Sequence, residues 1–343
     1  MTAALTVIRA GIHTSLQDLG RYGAQALGVP VSGAMDGFSL RLANALVGNT
    51  PGTGALELRG FGPSFRVEAE SVRVALTGTD DALDVSGADL STVPAGRSVT
   101  LPRGATFGIG ALRDTATAYL AVAGGFEARH HFGSCATYAP AALGGFEGRA
   151  LRDGDMLPLA RDAAPAGADL ELAQGAMDGD DGPVRVVLGP QADYFSATGI
   201  ETFLSATYTV SPQNDRMGMR LEGATIEHRS GFNIPSDGVV TGSIQVPGHG
   251  LPIILLADRQ TTGGYPKIAT IASADLSRLA RARAGTTLNF EAVSVAEAED
   301  LHRKKEARLA ALIEGLRPVG DGADFMRRLY AENLISGVMR AEY

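Results

Sequence analysis

The amino-acid sequence predicts a mainly β protein, with two barrel-like copies of one β-rich domain followed by a helical C-terminal tail. Three observations lead there. Short runs rich in β-branched and apolar residues recur between turn residues, a segment rich in Ala, Gly and Asp interrupts them near the middle, and stretches on either side of that segment align. Short strands at such spacing read as barrel or sandwich, because alternating α/β folds need a helical pattern after each strand.

The strand runs are Leu5–Ile8, Val72–Thr77, Ser98–Leu101 and Ala118–Ala123, then Val184–Leu188, Tyr208–Val210, Ile253–Leu256 and Thr287–Phe290. A helix is predicted over Gly37–Val47: Asp36 can cap it, Phe38, Leu42, Ala45 and Leu46 share a face, and Gly48 can end it. A second is predicted over Ala274–Arg283, with Ser273 as cap, Leu276, Leu279 and Ala280 as stripe and Gly285 beyond the end. The stretch Arg161–Pro183 has few large apolar residues, which sets a first domain at 1–165, a linker at 166–183 and a second domain at 184–293. Across it, Val31–Leu42 aligns without a gap on Val210–Leu221, sharing Val, Ser, Asp, Arg and Leu at matching offsets. Residues 294–343 form the tail. Ser294 and Glu297 make a capping-box pair ahead of a helix whose face carries Leu301, Leu309, Leu312, Ile313 and Leu316. A shorter helix is predicted over Asp324–Asn333, where Phe325, Met326, Leu329 and Leu334 would dock, and the tail reads as a hairpin covering an open barrel edge.

At 343 residues, 45% of them hydrophobic, the chain can build about two cores on the usual prior of roughly 150 residues per domain. No apolar run approaches membrane-spanning length and no basic region precedes an apolar leader, so a soluble, cytoplasmic protein is expected. The single cysteine, Cys135, leaves no partner for an internal disulfide and no Cys/His cluster at zinc spacing, so no metal is assigned. A formal charge of −8 without a basic stripe argues against nucleic acid as a partner. The six histidines show no nucleophile or metal spacing, G-x-S-x-G does not occur, and no phosphate-binding G-x-x-x-x-G-K-[ST] loop is present.

The chemistry concentrates between Gly242 and Lys267. There Ile253–Ala257 reads as a buried strand, and the polar loop T-T-G-G-Y-P-K follows it closely. Thr261 and Thr262 bring hydroxyls, Gly263 and Gly264 can turn adjacent N–H groups toward one anion, Tyr265 offers a flat face and Lys267 a point charge. On its own the loop also reads as a plain hairpin turn, since glycine pairs between apolar runs commonly only reverse the chain.

I-Q-V-P at Ile244–Pro247 and D-R-Q-T-T-G-G-Y-P-K-I-A at Asp258–Ala269 resemble motifs of the biotin-dependent carboxyltransferase family, which includes allophanate hydrolase subunit 2, the C subunit of 5-oxoprolinase and a domain of urea carboxylase. T-S-L-Q-D-L-G-R at Thr14–Arg21, G-V-P-V-S-G-A-M-D at Gly28–Asp36 and R-L-A-N-A-L-V-G-N at Arg41–Asn49 resemble the same family's opening motifs. The likeness continues through Ala121–Gly125, Gly144–Arg149 and Asn214–Leu221. It implies two cyclophilin-like β-barrel domains, a subunit 1 homologue as partner, and a small amide or lactam substrate. ATP would bind a partner subunit, a lactam-binding subunit would be a further partner, and carboxybiotin, where used, would be carried by a partner.

Carboxyl transfer or lactam opening needs stabilisation of a developing oxyanion and a means of holding the acceptor. Lys267 with Gly263 and Gly264 is the first candidate for that charge, against the plainer reading of a surface lysine on a hairpin. Gln245 can recognise a lactam or ureido group, or simply hold a turn. Asp215 and Arg216 form a polar patch in which Arg216 can grip a carboxylate, or make a structural ion pair. Asp18 and Arg21 are expected to pair with each other, leaving Gln17 as the ligand contact; Ser32 lies before the first helix, where Asp36 is the cap rather than a base.

Two positions depart from the family pattern. G-S-R-S-T-Y is usual where this chain has G-S-C-A-T-Y at Gly133–Tyr138, and an arginine is usual at Thr117. If those arginines hold a substrate carboxylate, each replacement removes a charge-assisted bond of roughly 1.5–3 kcal/mol. Cys135 has no positioned base in the sequence to make it a nucleophile. Three readings follow: a subunit of ATP-dependent 5-oxoprolinase, carboxyl transfer from carboxybiotin to urea or a related amide, or a regulatory module binding a subunit 1 partner in sensor-kinase control.

Overall fold

A computed structural model describes residues 3–173 and 182–320. The expected helix at Asp324–Asn333 and part of the expected linker lie outside the described residues.

The first half contributes strands β1 (Ala4–Arg9), β2 (His13–Gln17), β3 (Ala55–Arg59), β4 (Ser64–Val67), β5 (Ser71–Thr77) and β6 (Ala82–Ser86). It continues with β7 (Thr92–Pro94), β8 (Ser98–Pro102), β9 (Thr106–Gly108), β10 (Thr117–Val122) and β11 (Met156–Pro158). They form two sheets, ordered β11-β1-β4-β9-β6-β7 and β2-β3-β10-β5-β8. Leu5, Val7, Phe65 and Phe107 from one sheet meet Leu56, Leu58, Val74 and Leu120 from the other. Because strand side chains alternate between faces, Ala55, Glu57, Tyr119 and Ala121 point away from that core. Helix α1 (Gly37–Leu46) covers this second face through Leu40, Ala43 and Leu46. Asp36 caps α1 as expected, accepting from the Phe38 and Ser39 amides, and Gly48 takes the left-handed φ that a helix end favours.

The second half adds β12 (Leu170–Glu171), β13 (Val184–Leu188), β14 (Tyr208–Asn214), β15 (Gly218–Glu222), β16 (Asp237–Gly238) and β17 (Ser243–Gln245). Strands β18 (Ile253–Leu255), β19 (Thr262–Gly263), β20 (Lys267–Ile271), β21 (Thr287–Leu288) and β22 (Phe290–Ala292) complete it. The main sheet is ordered β21-β14-β15-β18-β17-β20-β13-β22. Its end strands are separated only by Asn289, so the sheet curls nearly closed around Val186, Phe203, Tyr208, Ile244, Ile254, Ile268 and Phe290. The single strand expected over Thr287–Phe290 is therefore two, because the chain turns at Asn289 from one barrel edge to the other.

Two further expectations change. Val31–Leu42 and Val210–Leu221 align in sequence but not in local structure, the first being a loop and α1, the second the β14–β15 hairpin. Asp36 and Asp215 each accept two following amides, and what comes next decides: period 3.6 after Asp36, alternating Met219 and Leu221 after Asp215. The helix expected over Ala274–Arg283 is a 3-10 turn, Ser273–Asp275, followed by α3 (Leu276–Arg281) after α2 (Ala197–Ser205). Ser273 does not cap it, and the Asp275 carboxylate instead accepts from Arg185. Helix α2, which the sequence analysis did not assign, is started by the Ser196 hydroxyl accepting from Gly199 N.

Helix α4 (Val295–Glu314) opens with the expected Ser294/Glu297 capping box. It lies against α1, where Arg41 grips Glu306 by two hydrogen bonds of 2.7 Å, and Lys305 reaches Ala274 O and Ser277 Oγ. Beyond it, β23 (Arg317–Pro318) pairs with β12, and Leu170 N donates to Ser98 Oγ on the edge strand β8. Among the described residues, no helix is long and apolar enough to cross a membrane.

Candidate active site

The residues singled out in the sequence fall into two clusters joined by the segment 258–267. The first centres on Arg216, at the β14–β15 turn and 6% exposed. Its guanidinium donates to Asp258 at 2.8 and 3.0 Å, to Gly33 O at 2.7 Å, and to Glu57. Glu57 also accepts from Tyr119 Oη at 2.6 Å and from Met35 N at 3.0 Å. Burial alone would raise the Glu57 carboxyl, but the Arg216 charge and these donors hold it below its ordinary value. Arg216 is thus saturated by the protein's own carboxylates, the structural alternative of the two considered for it. Asp215, exposed, spends its carboxylate on the turn amides of Met217 and Gly218.

Gln17 and Ser32 adjoin this cluster. The Ser32 hydroxyl donates to Asp258, and Gln17 Nε2 donates to Ser15 Oγ at 2.9 Å and Thr137 O at 3.1 Å. Gln17 is fully buried, so it is no open contact for a ligand. Asp18 and Arg21 do not make the expected ion pair: Asp18 accepts from Gly20 N, Ser134 Oγ and Cys135 N, while Arg21 donates to Ala136 O. The turn amides simply reach the carboxylate first. Thr117 and Cys135 are both buried. Burial, with Asp18 alongside, pushes the Cys135 thiol up to about 12, which removes it as a nucleophile at neutral pH.

The second cluster surrounds Lys267, on β20. The whole residue is buried, at 2% exposure, and its Nζ lies 2.8 Å from Asp237 Oδ2, whose side chain is 52% exposed. Gln191 closes a ring: its Oε1 accepts from Lys267 N at 3.2 Å and its Nε2 donates to Asp237 at 3.2 Å. The hydrogen bond from Lys267, then that from Gln191, hold the Asp237 carboxyl below its ordinary value. Gln245 stands opposite Lys267 in the β17–β20 ladder, its Nε2 donating to Tyr265 O at 3.4 Å. The loop 261–265 is held by pairing of Asp237 with Gly263 and Gly238 with Thr262, and by Val239 N donating to Thr261 O.

Neither Gly263 nor Gly264 takes a left-handed φ, so the expected pair of turned amides does not form. Gly263 has another reason to be glycine: a Cβ there would sit 2.4 Å from Gln245 Nε2. Thr262 and Tyr265 are exposed beside the buried Lys267 and Gln245, which gives a cation, an amide, hydroxyls and an aromatic face at one solvent-reachable edge of the barrel. That set can polarise a carbonyl and hydrogen-bond both edges of an amide or lactam.

Sequence reading missed Glu57, Asp258, Asp237 and Gln191. Glu57 carried a signal, being a charge at the centre of the apolar run A-L-E-L, and Asp258 lies within the D-R-Q-T-T-G-G motif. Asp237 and Gln191 sit in polar turns that carry none.

Residues 27–292 match the family described as carboxyltransferase domain, subdomain A and B. The chain belongs to this family. It is 36% identical over 303 residues to the 5-oxoprolinase C subunit of Escherichia coli (strain K12), an alignment spanning 86% of this chain and 93% of that protein. It is 31% identical over 328 residues to urea amidolyase of Saccharomyces cerevisiae, 90% of this chain but 18% of that protein. Among solved structures, K. lactis urea amidolyase superposes with a TM-score of 0.82 at 27% identity, over 91% of this chain and 20% of the other. The chain is therefore a carboxyltransferase-family protein whose homologues are subunits or segments of enzymes.

Proposed function

We propose that this chain is the C subunit of an ATP-dependent 5-oxoprolinase, which opens 5-oxoproline to glutamate together with a subunit 1 homologue and a lactam-binding subunit. The observation that carries the reading is the near end-to-end match to the C subunit of 5-oxoprolinase, over 93% of that relative, where urea amidolyase is matched over 18%. ATP, bound on a partner, supplies the driving force for ring opening.

In this reading Lys267 Nζ places positive charge where the lactam oxygen gains negative charge. Asp237 and Gln191 hold the buried ammonium in place, with the exposed Asp237 on its solvent side. The Gln245 amide, fixed against Gly263 and Tyr265 O, hydrogen-bonds the ring amide and orients it. Thr261, Thr262 and Tyr265 line the approach. Arg216 holds the base of the loop through Asp258 and touches no substrate.

A second reading, carboxyl transfer from carboxybiotin on a partner to urea or a related amide, is favoured by the likeness to urea amidolyase over 91% of the chain. Assay of the co-purified complex separates the two. ATP-dependent glutamate release from 5-oxoproline supports the first, and bicarbonate- and urea-dependent ATP use supports the second. A stable complex active in neither assay would point to the regulatory role. Within an active complex, Lys267→Met keeps the stem but removes the charge. Turnover is expected to fall on the order of 10²–10³-fold, the range for losing one oxyanion donor, with the complex still assembling; undiminished turnover removes Lys267 from the mechanism.

A further inference from the structure

The fold brings together three metal-ligating side chains that neither polar cluster uses. Asp18 follows β2, while His130 and Cys135 flank a tight turn. His131 N donates to Ser134 O at 2.8 Å and Ser134 N to His131 O at 3.3 Å, with Phe132 and Gly133 between them at φ 52° and 78°. Such a two-residue turn sets the next pair outward, His130 and Cys135, opposite one another. Asp18 reaches the same point from the other segment, and one ligand atom from each of the three lies within 4.8 Å of the others.

We propose that Asp18, His130 and Cys135 bind a thiophilic divalent cation, zinc by its chemistry, which ties the 131–134 turn to the segment after β2. One thiolate, one imidazole and one carboxylate make a donor set suited to zinc, whereas magnesium and calcium call for oxygen ligands. Zinc bonds of about 2.0–2.3 Å in a tetrahedron place ligand atoms roughly 3.5 Å apart, so the site must contract by about 1 Å. His130 is exposed and can supply that movement.

The other two ligands are already held. Asp18 Oδ1 accepts from Gly20 N at 2.7 Å and Ser134 Oγ at 2.6 Å, and Oδ2 from Cys135 N at 2.7 Å. Hydrogen bonds of this kind orient a ligating carboxylate and leave it lone pairs for the ion. Gly54 makes room for the sulfur, since a Cβ there would lie 2.7 Å from Cys135 Sγ. Arg21, whose charge acts on the thiol, opposes a second positive charge. A carboxylate and a thiolate offset the two charges of the ion, so binding leaves the balance around Arg21 no more positive than Arg21 alone. The exposed side of His130 leaves a fourth position for water. Sequence spacing conceals the site because Asp18 lies far from the other two in the chain.

Titration of the full-length, metal-stripped chain with Co(II) tests it. One equivalent is expected to bind with a thiolate-to-cobalt charge-transfer band that zinc then abolishes, and Cys135→Ser is expected to lack the band. Since Cys135 is buried and its replacement can disturb folding, His130→Ala is the second variant. Its exposed position should leave unfolding without metal unchanged, while Co(II) affinity falls at least about tenfold. Absence of the band in the native chain overturns the proposal, and so does a His130→Ala variant that binds Co(II) as tightly as the native chain.

Discussion

The two polar clusters differ in how far their hydrogen-bonding capacity is already spent. Around Arg216, two buried carboxylates and a backbone carbonyl engage the guanidinium, and all three charged groups are under a tenth exposed. Around Lys267, the cation itself is buried but its partner Asp237 is half in water. Only the second has a charged partner open to solvent. A closed network holds a fold together and an open one can do chemistry, and this contrast is the ground for proposing Lys267, rather than Arg216, as the group that meets substrate.

The most severe way to test that division is Arg216→Ala. It leaves Glu57 and Asp258 buried together without their shared cation, and removing one partner from a buried ion pair costs about 3–5 kcal/mol. Urea unfolding of the purified chain should show that loss. A change under about 1 kcal/mol would mean that water reaches the cluster and that the contrast with Lys267 is false.

A smaller effect is expected from Glu57→Gln, and pH gives its sign. The folded-state carboxyl of Glu57 is depressed, so its contribution is full above the unfolded value of about 4.3 and is lost as pH falls through the lower folded value. The variant should be less stable than the native chain at pH 7, by roughly 1.5–3 kcal/mol for a hydrogen bond to a charged group. The gap should narrow as urea midpoints are followed from pH 5 downward. A gap that stays constant on acidification would show that the Glu57 carboxyl titrates alike in the folded and unfolded chain.

The same contrast marks what the sequence made legible. Strands such as Ser71–Thr77 and Val184–Leu188 and the capped helices α1 and α4 were readable because their signals are local: apolar runs, a capping aspartate, a capping box. Lys267, Gln245 and the 261–265 loop were readable as a motif. Their partners were not, because Gln191 comes to Lys267 through the β13–β20 pairing, Asp237 through the short β16–β19 ladder, and Glu57 reaches Arg216 across the two halves of the chain. The aligned segments at Val31 and Val210 misled for the converse reason, since twelve residues of likeness do not carry the period that follows them.

Gly263→Ala produces the smallest change in stability and the finest test of the open cluster. The added methyl would meet the far end of Gln245, a side chain able to swing aside, with Val239 Cγ1 next at 3.2 Å. No positive φ is strained at this position, so the cost to folding should stay within about 1 kcal/mol, the lower end for an added methyl group. The displaced amide can no longer face a ring amide beside Lys267, and turnover by the assembled complex should fall several-fold while complex formation is unchanged. In a Gln245→Ala background the same methyl has nothing to displace, so Gly263→Ala should then change turnover little, a non-additivity expected of residues in contact. Additive losses would locate the effect in the loop backbone and leave Gln245 without a role in holding substrate.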